Sequence, residues 1–123
     1  MRFVLAPAAE HDIVEILTWT QEHFGEQARH RYETLIIQAV EDLAENPERA
    51  GTSERPELVD GAKTYHMIHS RDRVPRSIGR VKNPRHLILY RVIDDALEIA
   101  RVLHDSLDLA RHLPTEYRVD GSG

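Results

Sequence analysis

Apolar positions fall along this chain in two different rhythms. From Ala9 the apolar side chains recur at helical spacing through Ile13, Ile16, Leu17, Thr20 and Phe24. Pro7 suits the first turn of such a helix, where its missing N–H is not needed, and Gly25 suits its end. A second helical stripe follows through Ala28, Tyr32, Leu35, Ile36, Ala39 and Leu43, widened by Ile37, Val40 and Ala44. Asn46-Pro47 closes it. So short a link predicts an antiparallel helical hairpin. "RFVL" at Arg2 to Leu5 predicts a short strand ahead of it.

After residue 46 the rhythm changes. Residues 47–61, "PERAGTSERPELVDG", are polar and broken by proline and glycine, which predicts a loop. Ala62 to His69 can form a strand. Ser70 to Arg85 contains Pro75, Gly79 and Pro84 and reads as a long basic hairpin loop. Strands are predicted over His86 to Ile93 and Ala96 to Leu103, joined by Asp94-Asp95 as a two-residue turn. That turn sets a register: Ile93 opposite Ala96, Arg91 opposite Glu98, Leu89 opposite Ala100, Tyr90 opposite Ile99, and Ile88 opposite Arg101. The Val92, Tyr90 and Ile88 face is the more apolar one and should receive the helices. Arg91 and Glu98 then form a cross-strand pair on the other face, and Arg101 is left without a carboxylate opposite it.

The expected architecture is therefore α+β in one domain over residues 1–112: a short N-terminal strand, a helical hairpin, then a three-stranded antiparallel meander. Residues 113–123 read as a C-terminal tail. The size of 123 residues and the 41% hydrophobic content fit one globular core. The chain has no cysteine, which excludes disulfides and thiolate metal sites. No apolar run is long enough to span a membrane, and the N-terminus does not read as a signal peptide, so a cytoplasmic protein is expected.

Charge adds an asymmetry that the net −5 conceals. Residues 1–60 carry 13 Asp and Glu against 5 Arg, whereas residues 61–93 carry 8 Lys and Arg against Asp72 alone. A basic middle in an acidic chain marks a surface for an acidic partner. Arg76, Arg80, Arg85, Arg101 and His104 are the candidates for contact with a target or partner. The basic loop has no aromatic residues interleaved for base stacking, so direct nucleic-acid contact is not expected. His66 and His69 lie three apart in a predicted strand and point to opposite faces, so no metal site is expected. No phosphate-binding glycine loop is present, and no cofactor is expected.

Several segments together resemble a known family. "LAPAAEHDIVEI" (Leu5 to Ile16), "WTQEHFGEQARHRYETLI" (Trp19 to Ile36), "LAENPE" (Leu43 to Glu48) and "LILYRVIDDALEIARVLHDSLD" (Leu87 to Asp108) look like the ParE branch of the ParE/RelE toxins of type II toxin–antitoxin systems. The resemblance covers roughly residues 2–109. Ser70 to Arg85 looks like an insertion, and Leu107 stands where the family often has an arginine. The resemblance implies a toxin that binds and poisons DNA gyrase without a catalytic residue of its own and is neutralised by a cognate ParD-like antitoxin, with Trp19, Ile37 and Val40 as candidates for the antitoxin groove on the hairpin. It leaves two alternatives open: a RelE-like ribosome-dependent mRNA endoribonuclease, or a non-toxic interaction module of the same fold. RelE-like chemistry needs a base, cations and an acid. The only lysines are Lys63 and Lys82, both upstream of the last two strands; Arg111, Arg118 and Tyr117 lie in the tail, and His66, His86 and His104 are the histidines that could substitute. No complete catalytic set is legible, and no catalytic residue is assigned.

Overall fold

The computed structural model describes residues 1–107 and 109–112; for Ala110 and His112 only the backbone is described. Strand β1 (Arg2–Leu5) leads into helix α1 (Pro7–Phe24), and helix α2 (Glu26–Glu45) follows directly. Gly25 alone separates them. Its φ of 93° lies in the region that glycine enters without a Cβ penalty, and its N–H caps α1 by bonding the Gln21 carbonyl. Asn46 ends α2, with its N–H on the Asp42 carbonyl.

Strands β2 (Thr52–Glu54), β3 (Lys63–His66), β4 (His86–Ile93) and β5 (Ala96–His104) complete a mixed sheet in the order β1-β5-β4-β3-β2. β1 pairs parallel with β5, and the other neighbours are antiparallel. The meander is as expected. Residues 47–61, read as loop throughout, also contribute β2, a three-residue edge strand. β3 is shorter than the expected Ala62 to His69. The chain turns after His66 into a 3₁₀ segment over Met67–Arg73, where His66 Nδ1 accepts the Ile68 N–H and Ser70 is drawn into the core.

The helices cover one face of the sheet. Leu35, Ile36, Ala39, Val40 and Leu43 of α2 pack with Ala9 and Leu17 of α1 against Tyr65, Ile88, Tyr90, Leu97, Ile99 and Val102. Ile88 and Tyr90 thus face the helices as the alternation predicted. Val92, at the hairpin tip, is exposed. On the other face Leu89 and Ala100 pack with Ala62, covered by Leu58 and Val59.

Asp94 and Asp95 both have positive φ, 51° and 59°, as a two-residue hairpin turn with a matching twist requires. From the tip, Ile93↔Ala96, Val92↔Leu97, Arg91↔Glu98 and Tyr90↔Ile99 pair as expected. A bulge between Leu89 and Tyr90 then shifts the ladder. Leu89 faces Arg101 and Ile88 faces Val102, in place of the expected Leu89–Ala100 and Ile88–Arg101 pairs. An extra residue on one strand is the ordinary origin of such a shift.

The Ser70 to Arg85 stretch is not an open loop. Val74 and Val81 pack on the core and Pro84 is buried. Arg71 donates to the Lys82 carbonyl at 2.6 Å, and Arg80 pairs with Asp72. Asp42, buried in α2, holds the segment from below by accepting from Ser70 Oγ at 2.6 Å and Arg73 Nε at 2.9 Å.

Candidate functional site

A cleft of about 1300 Å³ opens between the C-terminal half of α1, the start of α2, residues 79–86 and the end of β5. Its two sides differ in character. α1 contributes Val14, Ile16, Trp19 and Phe24 together with the carboxylates of Glu15 and Glu22, while α2 and residues 79–86 contribute Arg31, Arg80, Lys82 and Arg85. Tyr32, His86 and His104 also line it.

The α1 side is aromatic and exposed. Trp19 is 53% exposed and Phe24 67%. His23 stacks on Trp19 with ring centroids 4.1 Å apart, and its Nδ1 lies 2.8 Å from the Trp19 carbonyl, which holds the pair in place. Phe24 meets Trp19 edge-on at 5.7 Å. Helical spacing alone put Phe24 on the buried face. At the last residue of α1 it instead points to solvent, beyond the reach of the sheet.

Tyr32, His86 and His104 form a connected group. The Tyr32 hydroxyl lies 2.5 Å from His86 Nδ1 and accepts the Arg85 N–H at 3.3 Å. Burial pushes the Tyr32 hydroxyl up to about 12, so it keeps its proton and donates it to His86. Burial, with His104 beside it, lowers His86 to about 4, so the ring is neutral and carries its own proton on Nε2. The His86 and His104 rings meet edge to face at 5.4 Å, because the two residues are cross-strand partners.

Asp105 fastens this group from one side. Arg85 reaches it through Nε and Nη2, the latter at 2.9 Å, and His66 Nε2 lies 3.0 Å away. These partners, Arg85 first, hold the Asp105 carboxyl well below the usual carboxylate range. Arg85 therefore serves partly as a strut. Arg80 is paired with Asp72, whereas Arg31 and Lys82 have no carboxylate within ion-pair distance among the described residues.

The sequence-derived candidates separate here. Arg80, Arg85, His104 and Trp19 meet in the cleft. Arg76 is exposed, but it is not among the cleft-lining residues. Ile37 is 53% exposed on α2. Two candidates need correction. Val40 is buried in the core and cannot line a docking groove, since its position on α2 faces the sheet. Arg101, expected to lack a structural partner, makes a two-point ion pair with Asp12 of α1, with Nε–Oδ2 and Nη2–Oδ1 both 2.7 Å.

Tyr32 and Asp105 escaped the sequence reading. Tyr32 sat on the apolar face of a helix and looked like core; its hydroxyl finds its partners, His86 and the Arg85 N–H, only in the folded chain. No group of three or more metal-ligating side chains occurs among the described residues, and none of their helices is long and apolar enough to cross a membrane.

Residues 3–109 match the family model described as the ParE toxin of the type II toxin–antitoxin system parDE. No curated protein matches the chain. The matched span runs from β1 to the turn after β5 and includes every element that builds the cleft; the chain belongs to the ParE toxin family.

Proposed function

We propose that this member of the ParE toxin family arrests bacterial growth by binding DNA gyrase in the cytoplasm, and that a ParD-like antitoxin neutralises it. The observation that carries this reading is the helical hairpin, which keeps Val14, Trp19 and Phe24 exposed at a basic cleft and Ile37 exposed elsewhere on α2. Such large apolar side chains on a small domain are more economically explained by a partner than by folding. An antitoxin segment with an apolar face and acidic flanks fits both sides of the cleft by the helix-in-groove mode. Arg76, Arg80, Arg85 and His104 remain as target or antitoxin contacts; Arg101 is withdrawn from that set.

Induced expression in a bacterial host tests the proposal. Growth should stop, the DNA-damage response should rise and cleaved DNA should accumulate while bulk mRNA stays intact. Co-expression of an adjacent antitoxin gene should restore growth. Codon-phased cuts in translated mRNA before any DNA damage would instead support the endoribonuclease reading. Normal growth with soluble, folded protein would support the interaction module.

A further inference from the structure

The basic segment has no aromatics of its own, but the fold places a group of rings in the same cleft. Trp19 and Phe24 come from α1, with His23 stacked on Trp19; Arg31 comes from α2, and Arg80 and Lys82 from residues 79–86. Exposed flat rings beside cations that follow a backbone are the two requirements for holding an unpaired nucleic-acid strand. We infer that this cleft binds single-stranded nucleic acid, with a base stacked on Trp19 and phosphates held by Arg31, Lys82 and Arg80.

The rings are held ready for such a contact. His23 is fixed to the Trp19 carbonyl and stacked at 23° on the indole, yet Trp19 remains half exposed. Little side-chain freedom is left to lose when a base arrives. The cations are positioned too. Gly79, at φ 97°, passes so near Arg31 that a Cβ there would lie 3.0 Å from its Cδ, so the bare backbone packs along the Arg31 stem and steadies it. Arg31 and Lys82 have no described carboxylate to neutralise them, and Arg80 has only the exposed Asp72. An exposed pair of that kind exchanges readily for a phosphate.

An extended peptide suits the cleft less well. The cleft is lined by helix side chains, by residues 79–85 and, from the sheet, by His86 and His104 at the ends of β4 and β5, so little sheet is presented to a peptide backbone. A nucleic-acid strand asks for ring faces and cations only. The net charge of −5 also opposes diffuse attraction to a polyanion, so binding must be local to the cleft. The inference goes beyond the choice of cellular target.

The test uses the purified full chain with labelled dT12 and rU12, read by fluorescence anisotropy and by quenching of Trp19, the sole tryptophan. Both oligomers, or either one, should bind and quench; a preference between them tells which nucleic acid is taken. Trp19→Leu, which keeps apolar bulk but removes the flat ring, should weaken binding about tenfold with an unchanged circular dichroism spectrum. Arg31→Gln and Lys82→Gln should each reduce the slope of log affinity against log salt by about 0.7. Three results would overturn the inference: no binding, a duplex bound as tightly as a single strand, or a (Glu)12 peptide displacing the oligomer as well as unlabelled dT12 does. The last would show a site for an acidic peptide. Because no cell enters this assay, its failure is separate from failure of the growth-arrest reading.

Discussion

Arg101 on β5 and Asp12 on α1 are joined by two 2.7 Å contacts across 89 residues of sequence, and Asp12 Oδ2 also accepts the Val102 N–H at 3.0 Å. The side chain of Asp12 is 7% exposed and that of Arg101 20%. This pair fixes α1 against the sheet. The carboxylate hydrogen-bonds to the guanidinium and raises the Arg101 pKa further above its ordinary value.

Arg101→Ala should therefore destabilise the domain by about 3 kcal/mol, because it leaves the Asp12 carboxylate buried with only one backbone donor. Arg91→Ala removes a pair with Glu98 at 2.7 Å that guides a register already set by the turn. Its cost should be about 1 kcal/mol or less. Thermal unfolding of both variants measures the difference. Equal costs would contradict the structural role assigned to Arg101.

Stability should also fall with acid in a defined window. The pKa of His86 is depressed in the folded state from 6.5 to about 4. Between those values the unfolded chain binds a proton that the folded chain refuses, so the contribution is full above pH 6.5 and is lost as pH falls towards 4. The loss should be at most about 3 kcal/mol. His86→Gln should flatten the dependence of the unfolding midpoint on pH in that window; an unchanged profile would place the titration elsewhere.

Asp42 should prove a structural hub. Its side chain, 2% exposed, accepts from Gln38, Ser70 and Arg73 and pairs with Arg49 at 3.1 Å. Asp42→Ala strands these donors and should cost about 3 kcal/mol. Hydrogen exchange should show faster opening of residues 67–73, while α2 stays protected. Uniform acceleration over the whole chain would argue against a local role.

Ile37→Glu places a charge on an exposed α2 position outside the core. Its effect on unfolding should stay within about 0.5 kcal/mol. If the hairpin receives the antitoxin there, binding measured by calorimetry should weaken at least tenfold. Binding at full strength would move the docking surface away from Ile37.

Much of the fold was legible because its signals are local. Pro7, Gly25 and Asn46-Pro47 bound the helices through backbone geometry that each residue imposes on its own neighbours. The β4–β5 hairpin was likewise readable from Asp94-Asp95 and the alternation around them. Four paired positions out from the turn, that reasoning ends. The bulge at Leu89/Tyr90 has no local signature, and neither has the approach of Asp12 on α1 to Arg101, which makes an apparent functional cation a structural one. The same limit hid the cleft. Trp19, Tyr32, Lys82 and His104 are spread over most of the chain, and their meeting depends on how the hairpin packs across the sheet. Periodicity states which face of an element is buried; what stands opposite that face is decided only when distant elements close around one core.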